Sequence, residues 1–354
     1  VNSGTSGLHL AVIAAGVGNG SYLNGDGGPD LVITTPFSFV ASANCIIYQR
    51  AIPIFVDVDP ATGNIDPDQV AEAADDLTSG GHSARRWLPP AMRDSPPVLG
   101  RLKAVLPIHA FGQPADMDPI LDVGARHQLV VIEDACEALG AEYRGRMAGT
   151  LGDAAVFAFY PNKQMTTGEG GMIITNDGAW ADLFRSLRNQ GRDVFDAWLN
   201  HSRLGYNYRL DELSAALGRA QMGRLEEMLA KRERVASWYH ERLVGIELIE
   251  RPYVAPTTSR MSWFVYVVRV KPPASRNKVM QALTRDGIPS RRYFSPIHLQ
   301  PFYREHFGYR RGDFEVTELL GDVSLALPFS GVMSESQVDQ VTEHFRAAVE
   351  AARK

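Results

Sequence analysis

An α/β fold is predicted by two observations: a mostly parallel sheet flanked by helices, with a smaller α+β unit at the C-terminal end. From residue 1 to about 235, short apolar runs rich in β-formers alternate with helix-like segments. After that the rhythm changes to one strand-like run, Trp263 to Val270, and helical segments at Ser275 to Asp286 and Ser334 to Ala352. The expected domains are therefore 1–235 and 236–354. A chain of 354 residues is long enough for two such units or one large one.

The first element is a loop entering a helix. Small residues, Val1-Asn2-Ser3-Gly4-Thr5-Ser6-Gly7, precede the amphipathic run Leu8 to Ala15. Free backbone N–H groups and the helix dipole at such a start bind a phosphate dianion, although Ser and Thr also serve there as plain caps. A second strand-to-helix passage, Thr35-Pro-Phe-Ser-Phe39-Val-Ala-Ser42, carries Phe39. That ring can stack on a flat heterocycle or pack in a core.

Next, the apolar run Leu129-Val-Val-Ile132 reads as a buried strand ending in Glu133-Asp134. A second buried strand, Ala154 to Phe159, is ended by Pro161, which leaves Lys163 in a loop just past its carboxyl end. The glycine-rich hairpin signal Thr166-Thr-Gly-Glu-Gly-Gly171 follows at once. Ligands of open α/β sheets gather outside the carboxyl ends of strands, so Asp134 and Lys163 are placed to face one cavity. A lysine in that position either reaches solvent or does chemistry, and an amine in a partly dry pocket can form a Schiff base with a carbonyl. Asp134 is a helix N-cap, a solvated strand end or a functional carboxylate. Pyridoxal phosphate (PLP) requires both groups: a lysine to bind it as an imine and a carboxylate to keep its ring nitrogen protonated.

Further motifs occur in order: Pro53-Ile-Phe-Val-Asp-Val-Asp59, Pro107-Ile-His109-Ala-Phe-Gly-Gln-Pro-Ala-Asp-Met117, Glu133-Asp-Ala-Cys-Glu137-Ala-Leu-Gly140, Gly205-Tyr-Asn207-Tyr-Arg-Leu-Asp-Glu212 and Ser295-Pro-Ile-His298-Leu-Gln-Pro-Phe-Tyr303. With Asn2-Ser-Gly-Thr-Ser6, they resemble the DegT/DnrJ/StrS sugar aminotransferases, PLP enzymes of the aspartate aminotransferase (type I) fold, over nearly the whole chain. The resemblance implies that Lys163 is the Schiff-base lysine, Asp134 the partner of the ring nitrogen, and Phe39 the residue stacked on the ring. It further implies that backbone groups of Thr5 and Ser6 hold the phosphate, and that Asn207 reaches it from the neighbouring subunit of a homodimer. His298 and His109 would line the sugar-nucleotide side. Glu137 stands where the family often has Gln beside the cofactor's phenolic oxygen, which makes its protonation state matter. The pair Arg291-Arg292, just before His298, suits the diphosphate of a nucleotide sugar.

Two departures from the family pattern stand out. Ala158 occupies the position of a phosphate-binding serine, with Asn162 or Thr166 as candidate replacements. The chain opens inside the phosphate loop without an initiator Met, as a fragment of a longer protein would. Gly16 to Asp30 and Thr78 to Gly100 are expected as exposed loop insertions.

The activity that the resemblance implies is PLP-dependent transfer of an amino group, from glutamate, to a keto-sugar nucleotide. Other readings are a PLP-dependent deoxysugar dehydratase, an aminocyclitol or aromatic-amine aminotransferase, and a catalytically silent PLP-binding protein. Dehydratase relatives put histidine at the lysine position, so Lys163 counts against the first. An NAD-linked oxidoreductase is disfavoured because Gly16-Val-Gly-Asn-Gly-Ser21 follows a helix, whereas the dinucleotide fingerprint follows a strand.

Composition fits a cytoplasmic enzyme. Lys+Arg 36 against Asp+Glu 41 argues against a dedicated nucleic-acid surface. No apolar stretch approaches the roughly 18 residues of a membrane helix, and no signal peptide is visible. Cys45 and Cys136 lack metal-ligand spacing and read as buried free thiols, and His201, His240 and His344 likewise suggest no metal site. The glycosylation patterns at Asn19 and Asn200 are idle in a cytoplasm, and Arg85-Arg86 reads as a solvated loop.

Overall fold

The computed structural model describes residues 1–18, 28–193 and 200–353. The Asn19 pattern and most of the Gly16-to-Asp30 insertion fall outside the described residues. The described residues of the N-terminal part carry strands β1 (Leu31–Thr34), β2 (Ile52–Phe55), β3 (Leu102–Val105), β4 (Val130–Asp134), β5 (Glu142–Tyr143), β6 (Arg146–Met147), β7 (Ala154–Ala158) and β8 (Gly171–Ile174). Six of them form one sheet in the order β2-β1-β3-β4-β7-β8, parallel except for the antiparallel edge strand β8. Strands β1 and β2 are buried along their whole length, and β4 almost so, as in a parallel sheet covered by helices on both sides.

Helices α1 (Gly4–Ala14), α2 (Ala41–Tyr48), α3 (Pro67–Ser79), α4 (Gly81–Arg85), α5 (Pro90–Arg93), α6 (Met117–His127) and α7 (Gly178–Leu187) accompany this sheet. Helix α3 shows why the sequence starts a helix there: Asp66 accepts the N–H groups of Asp68 and Gln69, and Pro67 takes the first turn, where no N–H is needed. The chain leaves β1 for β2 on one side and later returns to β3 on the other. That reversal opens a crevice at the carboxyl ends of the strands, where β4 ends in Asp134.

Thr78 to Gly100 is not a bare loop. It holds α4 and α5, with Leu88 fully buried and Trp87 donating to Asp76 at 2.8 Å. Arg86 pairs with Glu72 and Asp76, so this arginine serves the surface rather than a phosphate.

The chain continues through α8 (Glu212–Met222), α9 (Leu225–Arg242), β9 (Ile249–Glu250), β10 (Thr258–Arg260), β11 (Tyr266–Val270), α10 (Arg276–Arg285), α11 (Pro301–Phe307), α12 (Glu315–Val323), β12 (Ser324–Leu327) and α13 (Glu335–Ala351). Strands β12-β11-β9 make an antiparallel sheet, and β10 joins β5 and β6 in another. Tyr239, Tyr266, Val268, Val279 and Phe345 build the second core between sheet and helices. Helix α9 runs unbroken through residue 235, and its later turns, Val235 to Tyr239, belong to this core. The predicted terminal helix is capped as its sequence suggests, by a reciprocal Ser334–Gln337 box. Among the described residues no helix is long and apolar enough to cross a membrane.

Candidate active site

Strand β7 ends at Ala158, and the next residues form a turn in which the Lys163 N–H donates to the Tyr160 carbonyl at 2.9 Å. Pro161 fits the second position of that turn because its ring presets φ. The lysine is thereby raised off the sheet into a cavity of about 1040 Å³. Asp134, at the end of the neighbouring strand, lines the same cavity. The predicted convergence of amine and carboxylate is present.

Asp134 is buried, and its position is set by two donors. Oδ2 accepts the Ser42 hydroxyl at 2.7 Å, and Oδ1 accepts the Cys136 N–H at 3.2 Å. Ser42 is itself within 3.0 Å of Ser38 Oγ, so the first turn of α2 is tied to the end of β4. Lys163 Nζ lies 3.5 Å from Glu137 Oε1 and 4.1 Å from the Phe264 ring centroid. Glu137 Oε2 accepts the Phe111 N–H at 2.9 Å. Burial raises the Glu137 carboxyl above its ordinary value, and the attraction of Lys163 only partly offsets this. Burial, with Asp134 adding to it, also pushes the Cys136 thiol well up, so it remains a protonated, inert cavity wall.

Phe39 is 64% exposed on the cavity side although it is a large aromatic, so one ring face is available for a flat ligand. At the N-terminus of α1 the expectation needs adjusting. The Ser6 N–H is taken by Ser3 Oγ at 3.1 Å, and the Ser6 hydroxyl donates to Asn2 Oδ1 at 2.6 Å. Ser6 is therefore a capped, inward residue. Thr5 and Gly4 line the cavity instead, at the positive end of the helix. Ala158 and Asn162 are also on the cavity wall, whereas the Thr166 hydroxyl is spent on the Phe159 carbonyl. Of the two proposed substitutes for a serine, only Asn162 is in place.

Arg291 and Arg292 line the cavity as expected. The two histidines do not, and this corrects the sequence reading. His109 is fully buried, with Nε2 2.9 Å from Glu133 Oε2 and Nδ1 accepting the Ala115 N–H. Glu133 also accepts the N–H groups of Gly149, Leu151 and Gly152, so the pair clamps loops behind the sheet. His298 is fully buried against Glu318 at 3.0 Å, and burial lowers its pKa despite that carboxylate. In each case a histidine within a motif is buried against a carboxylate instead of lining the cavity. Asn207 is exposed and is not on the cavity wall of its own chain.

Sequence reasoning missed Arg232 and Ser42. Arg232 is buried on α9, where burial lowers it to about 10, and it donates to the carbonyls of Lys163, Trp263 and Phe264 at 3.1–3.2 Å. It fixes the lysine loop to the second core. Only the closeness in sequence of Ser38 and Ser42 hinted that two hydroxyls meet where the chain enters α2.

A model of the DegT/DnrJ/EryC1/StrS aminotransferase family matches residues 1–346. The chain belongs to this family. Among its relatives, GDP-perosamine synthase of Caulobacter vibrioides is 40% identical over 96% of this chain and 82% of its own length. Among solved structures, S. venezuelae DesV is 30% identical with a TM-score of 0.83, covering 99% of this chain and 84% of that one. DesI, solved in the presence of its TDP-sugar product, is 27% identical with a TM-score of 0.81, covering 100% and 80%. The protein is thus an aminotransferase with the fold of the PLP-dependent enzymes.

Proposed function

We propose that this aminotransferase uses pyridoxal phosphate to move an amino group from glutamate to a keto-sugar nucleotide. The observation that carries the reading is the presence of the Lys163 amine and the Asp134 carboxylate on one cavity wall, with an exposed Phe39 ring beside them. The residues fit the cofactor. Lys163 supplies the amine that holds it, Asp134 the carboxylate for its ring nitrogen, Phe39 a ring face, and the α1 N-terminus at Gly4 and Thr5 the donors for its phosphate.

When bound, the cofactor supplies a carbonyl that exchanges amino groups and a ring that withdraws electrons from the reacting carbon. Lys163 Nζ takes the proton from the donor's α-carbon and returns one at the sugar carbon, so it acts as both base and acid. The Phe264 face and Glu137 Oε1 hold that amine in position between the two transfers. Burial raises the Glu137 carboxyl above its ordinary value, so it holds a proton more readily than an exposed glutamate. Arg291 and Arg292 bind the diphosphate of the acceptor.

The sugar nucleotide as acceptor is supported by the relatives: one is named for a GDP-linked product and another was solved with a TDP-sugar. A homodimer is part of the proposal, with Asn207 of one subunit serving the phosphate site of the other. The exposed Leu204 and Leu213, in the segment around Asn207, support burial against a second copy. Free thiols at Cys45 and Cys136 suit a reducing cytoplasm. The test is a mass-spectrometric assay of the dimer with PLP, glutamate and a panel of keto-sugar nucleotides. A mass change from ketone to amine on one of them is expected, and no amination on any of them overturns the reading.

A further inference from the structure

We propose that a depression beside α10, next to the catalytic cavity, receives the nucleoside of the substrate; this rests on the sugar-nucleotide reading above. The depression has a volume of about 530 Å³ and is lined by Asn277, Met280, Gln281, Thr284, Arg285 and Arg292. That volume is within the range of small-molecule sites. Arg292 is on the wall of both the depression and the catalytic cavity, so the two adjoin at this residue.

The order of chemistry along this path matches the order of groups in a sugar nucleotide. Lys163 serves the reacting sugar carbon, in the cavity that Asp134 also lines. Arg291 and Arg292 follow, at the place a diphosphate would occupy, and the α10 face lies beyond. Among the described residues no hydrogen bond or ion pair engages the Arg292 or Arg285 side chain. Arg292 also adds to the burial that lowers Arg276 beneath it. Asp322 offsets part of the charge at Arg276 and is itself paired with Arg311, whereas no carboxylate contacts Arg292 or Arg285 among the described residues, and an anionic ligand would supply that balance.

The face of α10 is built for a base rather than for more phosphate. Positions 277, 281, 284 and 285 share one side of the helix, while Val279 and Leu283 are buried in the core on the other. Asn277 Oδ1 accepts Arg276 Nε at 3.0 Å, and the same guanidinium donates to the carbonyls of Ser324 and Gly321. A buried, triply bonded arginine thus orients the Asn277 amide and leaves its N–H₂ group as the available donor. The Thr284 hydroxyl donates to the Met280 carbonyl at 2.9 Å, so its oxygen remains as an acceptor. Gln281 offers both kinds of group, and the half-buried Met280 thioether gives an apolar surface for a ring face. Alternating donors and acceptors beside an apolar surface suit the edge and face of a heterocyclic base.

The test is calorimetric titration of the holoenzyme with GDP, UDP, dTDP and inorganic pyrophosphate. Wild type should bind one of the nucleoside diphosphates at least about tenfold tighter than pyrophosphate. The double variant Asn277→Ala/Gln281→Ala changes exposed helix positions to the best helix former, so it should fold. It should lose that preference while keeping its pyrophosphate affinity, and Arg292→Ala should weaken both ligands. A double variant that binds the nucleoside diphosphate as tightly as wild type overturns the α10 subsite alone and leaves the sugar-nucleotide reading standing. A wild-type protein that binds no nucleoside diphosphate overturns both.

Discussion

Glu137 Oε1 lies 3.5 Å from Lys163 Nζ, so the reactive amine has a buried carboxyl group beside it. Burial raises this acid above its ordinary value, so the folded protein keeps a proton that the unfolded chain has released. By linkage, the group's stabilising share is complete below its unfolded value and is lost as pH rises through the folded one. Glu137→Gln keeps an oxygen for the Phe111 N–H but has no proton to lose. Its stability relative to wild type should therefore improve as pH rises from about 4, the ordinary carboxyl range, into the neutral range. Urea midpoints across that range check this, and a difference that is flat in pH contradicts it.

Ser42 tests how Asp134 is held. Ser42→Ala removes a 2.7 Å hydrogen bond to a buried carboxylate, which should cost about 1.5–3 kcal/mol of stability and lower kcat. Ser42→Thr keeps the hydroxyl and should recover most of both. Equal losses in the two variants would show that packing, not the hydrogen bond, matters there.

Arg232 tests the link between the lysine loop and the second core. Arg232→Met leaves the carbonyls of Lys163, Trp263 and Phe264 without their donor, at a cost of about 3 kcal/mol or more. Arg232→Lys should restore only part of this, because a single ammonium cannot reproduce the planar fork. Thermal melts of the three proteins measure it, and full rescue by lysine would contradict it.

His9 sets an acid limit on stability. It is buried with Gln49 and Tyr208 as neighbours, and burial lowers its pKa to about 4. Between that value and the ordinary 6.5 the unfolded chain binds the extra proton, so this group withdraws stability as pH falls through the window. The total from His9 should be at most about 3 kcal/mol. His9→Gln should show a shallower decline in unfolding free energy from pH 6.5 to pH 4, and an identical slope would reject the assignment.

The strands that carry the site were legible because each is a pure apolar run with a chemical stop. Val130–Asp134 ends in a carboxylate, and Ala154–Ala158 is closed by a proline turn. The sheet rule then put Asp134 and Lys163 in one cavity. His109 and His298 misled because a motif reports that a histidine is present but not which way it faces; both found carboxylates, Glu133 and Glu318, brought in from elsewhere along the chain. Arg232 was hidden for the opposite reason. It sits in an Arg- and Glu-rich helical run where a charged residue reads as solvated, and only tertiary packing turns it inward. The domain boundary was blurred by α9, whose pattern does not change at residue 235.

The central claim, that Lys163 carries the cofactor, is tested most directly by borohydride reduction of the PLP-loaded protein followed by peptide mass spectrometry. The reduced cofactor should be fixed on the peptide containing Lys163 and be absent from Lys163→Ala. Fixation on another lysine, or an equal yield from Lys163→Ala, would contradict it.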